Sequence, residues 1–125
     1  MKTIIAAGPA IIEKNRVLLI KDNQDKFWKF PGGTVKNKQN LEQTAIREAK
    51  EELSIKVKLI RPLKPTIIYF PDKIFVSIVY LATKSGKIKP AHDIKKWAYL
   101  DIHHLPKDIG PNVRPVVAEY LSSKK

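Results

Sequence analysis

The chain has 125 residues, 43% of them hydrophobic, with nine prolines and charges spread along its length, so it is large enough to close one hydrophobic core and too apolar to be disordered. It contains no cysteine, which excludes disulfides, zinc–thiolate centres and thiol nucleophiles and leaves oxygen or imidazole as the available metal ligands. A formal charge of +12 bears on partners rather than on fold: it favours solubility, and it attracts polyanions such as nucleotides or RNA.

In chain order, the apolar run after Met1 ends at Gly8-Pro9, too short for a leader peptide, and no later stretch reaches membrane-spanning length. The expectation is a cytoplasmic protein with no membrane contact. Residues Thr3 to Glu13 and Val17 to Ile20 are β-branched and apolar, and the polar Lys14-Asn15-Arg16 between them predicts a hairpin. A polar loop from Asp22 to Lys26 leads into the aromatic run Phe27-Trp28-Lys29-Phe30, which the breaker triplet Pro31-Gly32-Gly33 must bend. Leu41 to Leu53 are good helix formers, with Asn40 and Gln43 spaced as a capping box. Leu41, Ala45, Ile46, Ala49 and Leu53 fall on one arc of that helix and are expected to pack on a sheet. Ile55, Val57 and Leu59 alternate with lysines as a half-buried strand does. Strands follow at Thr66–Phe70, Ile74–Thr83 and Lys96–Leu100, the first two joined by a Pro71-Asp72-Lys73 turn. A last helix runs from Val113 to Ser123 after Asn112, with Pro115 in its first turn, where the missing N–H costs little. This order predicts an α+β fold with a mixed or antiparallel sheet between helices.

Of only twelve acidic residues, Glu48, Glu51 and Glu52 fall within five positions on the predicted helix. At about 100° per residue all three carboxylates project from one face, where like charges repel. A solvated face neutralised by Arg47, Lys50 and Lys56 is one way to tolerate them. The other is a hard divalent cation held by carboxylate oxygens, water and substrate phosphates, as Mg²⁺ usually is.

The surrounding residues decide between these readings. Gly33-Thr34-Val35-Lys36-Asn37-Lys38-Gln39, then seven residues, then Arg47-Glu48-Ala49-Lys50-Glu51-Glu52-Leu53-Ser54-Ile55, preceded by Trp28-Lys29-Phe30-Pro31-Gly32-Gly33, resembles the box that marks Nudix hydrolases. The resemblance extends loosely over the chain and implies a single domain spanning residues 1–125, folded as an α/β/α sandwich with a central mixed sheet. It also implies a hydrolase in which water attacks phosphorus. Glu48 and Glu52 would ligate Mg²⁺, with Mn²⁺ as the alternative. Glu51 would share a second metal or polarise water, the Gly32 carbonyl would complete the shell, and Arg47 would orient Glu48. The proton acceptor would be Glu48 or Glu51, with Asp93 as a further carboxylate. Gln39 and Ser54 depart from the pattern, which usually has glutamate and glycine there, and Lys36 and Lys38 replace the glutamate and glycine common in the loop. A glutamine carbonyl still accepts a hydrogen bond from Arg47. Ser54 either ends the helix without a left-handed turn or adopts one at a modest cost.

On the substrate side, Trp28, Phe27, Tyr69 and Phe70 are candidates for base stacking, with core packing as the alternative for each. Lys73, Lys87 and Lys89 are candidates for phosphate contact, with solvated lysines as the alternative. His92, His103 and His104 are candidates for aiding proton transfer, yet they show no ligand spacing and are read as surface or loop residues. Tyr69-Phe70, followed by Ile74-Phe75-Val76 and later Lys96-Trp97, resembles the arrangement in small dinucleoside tetraphosphate hydrolases of the family, whereas Pro71 falls where ADP-ribose pyrophosphatases often carry proline. The expected substrate is therefore a small nucleotide, a nucleoside diphosphate linked to another group. Dinucleoside polyphosphates stand ahead of ADP-ribose and nucleoside triphosphates, and RNA 5′ ends and a non-catalytic nucleotide sensor are the rivals. The protein is expected to be a monomer or homodimer.

Overall fold

A computed structural model describes residues 1–24, 26–36 and 38–124. Asp25 of the expected Asp22–Lys26 loop, Asn37 of the loop before the helix, and Lys125 lie outside the described residues. The elements are β1 (Lys2–Glu13), β2 (Arg16–Asp22), β3 (Gly33–Thr34), α1 (Leu41–Leu53), β4 (Lys56–Pro62), β5 (Thr66–Tyr69), β6 (Lys73–Ser85), β7 (Ile94–Asp101) and α2 (Val113–Ser123). Strand order is β4-β6-β1-β2-β7, with β3 added to β1 and β5 to β6.

The predicted hairpin joins β1 to β2 through Lys14 and Asn15, both left-handed at φ 51° and 63°, which matches the twist of the flanking strands. The sheet is mixed because β1 pairs in parallel with β6, from Lys2 opposite Lys73 to Ile11 opposite Ala82. All other ladders are antiparallel. Along its other edge β1 pairs first with β3, at Ala6 and Ala7, and later with β2, at Ile12 and Glu13. Pro9 falls in the gap between these ladders, where a residue without an N–H leaves no ladder bond unmade.

Alternation divides the strands between two cores. Val17 and Leu19 of β2 join Ala10, Val79, Phe30 and the α2 residues Val113, Val116 and Val117. Leu18 and Ile20 point the other way, joining Ile11, Ala82 and the α1 residues Ala49 and Leu53. The sheet thus lies between α1 on one face and α2 on the other, which is the expected α/β/α layering.

Helix α1 keeps its predicted ends. Asn40 accepts from the Gln43 N–H at 2.7 Å and the Gln43 side chain accepts from the Asn40 N–H at 2.9 Å, a complete capping box. Ile46, expected on the apolar arc, is instead 44% exposed, and Thr44 is buried in its place. Thr44 tolerates burial because its hydroxyl donates to the Asn40 carbonyl at 2.8 Å, so the covered stripe is shifted toward Thr44, Ala45 and Ala49. Ser54 does adopt the left-handed conformation, at φ 60°, the second of the two alternatives for this position. Its hydroxyl donates to the Lys89 carbonyl at 3.1 Å, a contact that glycine would lack and that offsets the backbone cost.

Candidate active site

The bend at Pro31-Gly32-Gly33 lies flat on β1, and the glycines on both sides of that contact are required by space. A β-carbon on Gly8 would sit 1.9 Å from the Pro31 carbonyl oxygen, and one on Gly32 would sit 2.7 Å from that of Ala7. With the bend seated, two α1 carboxylates reach it. Glu52 accepts a hydrogen bond from the Gly32 N–H at 2.8 Å. Glu48 rests against Gly33 so closely that a β-carbon there would be 1.9 Å from its Oε1. Glu51 is more open, with 59% of its side chain exposed, and lies within hydrogen-bonding reach of Glu48. Arg47 runs between them, its guanidinium 3.8 Å from Glu48 and 3.5 Å from Glu51. Its Nη1 donates to the Gln39 side chain and its Nη2, the nitrogen nearest Glu48, to the Thr34 carbonyl at 3.4 Å, so Arg47 ties the helix to the loop that carries the bend.

Gln39 therefore makes the contact that its carbonyl permits. Gln39→Ala should lower kcat/KM by about 10–100-fold, the usual size of losing a group that orients a functional side chain, whereas Gln39→Glu should keep or raise it, because a carboxylate binds guanidinium more strongly. Steady-state kinetics on the three proteins checks this ordering.

Electrostatics mark the same place. Burial pushes the Glu52 carboxyl up to about 8; the Gly32 N–H and Lys29 pull it down, while Glu48 and Asp93 add to the rise. Burial also raises Glu48, with Arg47 opposing and Glu51 reinforcing the shift. Two repelling carboxylates held away from water form a hard-oxygen donor set, and a divalent cation fits it because it removes both the repulsion and the desolvation cost. Among the described residues, no three His, Asp or Glu side chains converge as a ready-made metal cage. Asp93 is exposed in the turn between β6 and β7, beyond Ala91, whose N–H donates to the Glu52 carbonyl at the end of α1 at 2.9 Å.

On the other side of the bend is a cleft of about 390 Å³. Phe27, Phe70 and Phe75 supply its aromatic walls, Lys29 and Lys73 its cations, and Ser77 and Asn112 its neutral polar groups, while Gly32 and Gly33 form its floor toward α1. The Asn112 amide donates to the Ser77 hydroxyl at 3.2 Å. Of the residues nominated from sequence, Phe27, Phe70, Lys73 and Gly32 line this cleft. Trp28 does not: it packs on the α2-side core with the Lys21 ammonium 5.1 Å from its ring centroid. Tyr69 does not either, because alternation along β5 turns Ile68 into the cleft and leaves Tyr69 74% exposed on the opposite side. Lys89 donates its N–H to the Leu53 carbonyl at 2.9 Å and is exposed, as are Lys87 and His92. His103 and His104 surround Asp101 at the end of β7, where the His103 N–H bond holds Asp101 below the usual carboxylate range. Lys29, Phe75, Ser77 and Asn112 were missed by sequence reasoning. Phe75 and Ser77 alternate with core residues on β6, and only the long-range packing of β6 against the start of α2 reveals them.

The chain belongs to the Nudix family: its residues 2–120 match the NUDIX domain model. It is similar to the ADP-ribose pyrophosphatase of Methanocaldococcus jannaschii, 35% identical over 125 residues covering 94% of this chain and 73% of that protein. It is also similar to the 8-oxo-dGTP diphosphatase of Buchnera aphidicola, 33% identical over 96 residues and 73% of each chain. Among solved structures, the MutT NUDIX hydrolase of Burkholderia pseudomallei superposes with a TM-score of 0.87 at 25% identity, over 95% of this chain and 98% of that one. The protein is accordingly a hydrolase of the Nudix pyrophosphatase type, from a family that acts on nucleotide substrates with divalent cations. Among the described residues, no helix is long and apolar enough to cross a membrane.

Proposed function

We propose that this protein is a Mg²⁺-dependent pyrophosphohydrolase, with Mn²⁺ as the alternative cation, that cleaves the phosphoanhydride of one nucleoside diphosphate linked to another group. One observation carries the reading: Gly32 and Gly33 are at once the floor of the aromatic cleft and the residues on which Glu52 and Glu48 rest. A base seated among Phe27, Phe70 and Phe75 would therefore have its phosphates directed over the glycines toward the carboxylates. Stacking in such a site contributes on the order of 1–3 kcal/mol per base. The cleft volume, about 390 Å³, suits one nucleoside and leaves the linked group outside. ADP-ribose and 8-oxo-dGTP, named by the two relatives, share this form with dinucleoside polyphosphates.

Glu48, Glu51 and Glu52, with the Gly32 carbonyl, would hold the cation, which when bound neutralises charge on the phosphate oxygens and lowers the pKa of water. Arg47 orients Glu48, and Glu48 or Glu51 takes the proton from the attacking water, with Asp93 as a further acceptor at the rim. Lys73 and Phe70 contact the substrate from the cleft side, their own cation–π contact being 5.1 Å.

A phosphate-release screen over ADP-ribose, dinucleoside polyphosphates, sugar nucleotides, nucleoside triphosphates and triphosphorylated RNA tests the proposal, with Glu52→Gln as control. Turnover of one small nucleotide, lost in the control, supports it. Turnover of RNA alone, steeply dependent on salt, would replace the substrate class. Nucleotide binding without any product would make the chain a sensor.

A further inference from the structure

Ser77 is the polar member of the apolar run Ile74-Phe75-Val76-Ser77-Ile78-Val79 in β6, where it pairs with Ala6 on one side and Thr66 on the other and is only 7% exposed. Alanine would fill the place with no hydroxyl to satisfy, so packing does not account for a serine there. Thr66, directly opposite in the ladder, shares its face of the sheet. The Thr66 hydroxyl is shut away from solvent and has no hydrogen-bond partner among the described residues. The β6 wall of the cleft is thus polar and under-satisfied where its neighbours are apolar.

Asn112 stands at the N-cap of α2, where an asparagine side chain ordinarily accepts from the first turn of the helix, yet it makes no such bond. Its backbone is helical, at φ −89° and ψ −9°, and its amide is turned to Ser77, to which it donates at 3.2 Å. The segment that carries it is fixed to the aromatic wall. The Trp28 N–H donates to the Asp108 carbonyl at 2.8 Å, and the Trp28 carbonyl accepts from the Gly110 N–H at 2.7 Å. Phe27 packs so closely on this segment that a β-carbon on Gly110 would lie 3.2 Å from its ring. A stacking surface and an amide are therefore held in one frame.

A hydroxyl has one donor and two acceptor lone pairs, and a primary amide has two donors and one acceptor oxygen. With one amide N–H engaged by Ser77, the Ser77 O–H and the Asn112 carbonyl oxygen have no partner among the described residues, and both residues line the cleft. The pair offers a donor beside an acceptor. When the amide turns over and Ser77 donates to its oxygen, the pair offers an acceptor beside a donor. A purine with an amino or oxo group at C6 presents the matching edge, an exocyclic group beside a ring nitrogen, one donating and the other accepting.

We propose that Ser77 and Asn112 are specificity-determining residues that read the C6 edge of a purine base stacked among the phenylalanines of the cleft. This rests on the pyrophosphohydrolase reading and deepens it by naming the base of the nucleotide. A purely structural bond between β6 and α2 predicts otherwise: its loss would weaken every ligand alike, whatever the base carries at C6.

The test measures binding in Mg²⁺ buffer of α,β-methylene-ADP, α,β-methylene-GDP and the same analogue of purine riboside, whose C6 carries only hydrogen. The wild type should bind the tighter of the first two about 10-fold or more better than the third, because a site built around polar groups rejects a ligand that leaves them unpaired. Ser77→Ala and Asn112→Ala should each weaken the C6-substituted purine about 5–10-fold, the size of one lost hydrogen bond, and leave the purine riboside analogue within about twofold. Ser77→Thr, which keeps the hydroxyl, should retain the preference. With a purine substrate from the phosphate-release screen, the loss should appear in KM rather than kcat. If Ser77→Ala melts far below wild type, Asn112→Ala decides alone, since Asn112 is only partly buried.

Equal binding of the three probes by the wild type, or variants that weaken all three in proportion, overturns the assignment and leaves the bond structural. Turnover confined to pyrimidine nucleotides overturns it as well. A wild type that binds no probe and hydrolyses no nucleotide overturns the function reading first, and this assignment with it.

Discussion

Glu52→Gln is expected to cut turnover by roughly two to three orders of magnitude and, in the absence of divalent cations, to make the protein more stable at pH 8 and above. Both effects have one origin. The folded state holds the Glu52 carboxyl at about 8 against an ordinary 4.5, chiefly by burying it, so folding favours the protonated form. Stability from that preference is complete below the unfolded pKa, erodes as pH rises from about 4.5, and is gone above about 8, where the folded chain carries a buried anion. Glutamine copies the neutral acid and can still accept from Gly32. Its advantage over wild type should therefore be absent in acid, grow through that window and level off above it. At about 1.4 kcal/mol per pKa unit, and allowing for partial solvation, the gain is roughly 1–3 kcal/mol, or several degrees in melting temperature.

Adding Mg²⁺ should reverse the order. The wild type gains about 2.7 kcal/mol at a hundredfold excess over Kd, whereas the variant lacks a ligand and gains less. Turnover in the variant should fall by roughly two to three orders of magnitude, the size of removing one preorganised electrostatic group. Thermal melts in chelator and in Mg²⁺ at pH 5, 7 and 9, run beside kinetics, check every part. Equal pH dependence of the two metal-free proteins would show that Glu52 is not the strained group.

The second large effect separates two glycines that look alike in sequence. Gly8→Ala and Gly33→Ala each place a methyl group 1.9 Å from an oxygen, but the oxygens differ. Next to Gly8 it is the Pro31 backbone carbonyl, with the Gly32 α-carbon at 2.8 Å, so the bend itself must lift from β1. That substitution should cost stability at or beyond the upper end of the ~1–3 kcal/mol range for overpacking, and activity falls with it. Next to Gly33 it is the end of the Glu48 side chain, which can rotate away. Gly33→Ala should therefore fold with a melting temperature near wild type and yet lose about 10²-fold in kcat, because the carboxylate is displaced. Circular-dichroism melts and turnover on the same preparations distinguish a stability defect from a site defect.

The parts legible in sequence were those decided by neighbours along the chain. The capping box at Asn40 and Gln43 set the start of α1, the glutamate spacing set which side chains share its face, and the Pro31-Gly32-Gly33 triplet demanded a bend. The contact between Arg47 and Gln39 could be anticipated because the two ends of one loop and helix make it. What could not be read depended on partners distant in sequence. The parallel pairing of β1 with β6 joins segments some seventy residues apart and determines that Phe75 and Ser77 enter the cleft. Tyr69 and Phe70 are equally aromatic in sequence, yet the pleat sends only Phe70 to the cleft. Trp28 was a reasonable stacking candidate until the core against α2 claimed it. Ile46 yielded its covered place to Thr44 through a hydroxyl–carbonyl bond that no hydrophobic pattern encodes.

The two glycines of the bend also join the α1 carboxylates to the aromatic cleft, since the helix packs on one face of the sheet and the cleft opens on the other. On the proposed function, bond breaking and substrate choice would be housed in separate compartments with a common doorway. Exchanging Phe27, Phe70, Phe75 or Asn112 would then change which molecule is admitted without disturbing how it is cut. A fold arranged in this way can diversify its diet while its teeth stay the same.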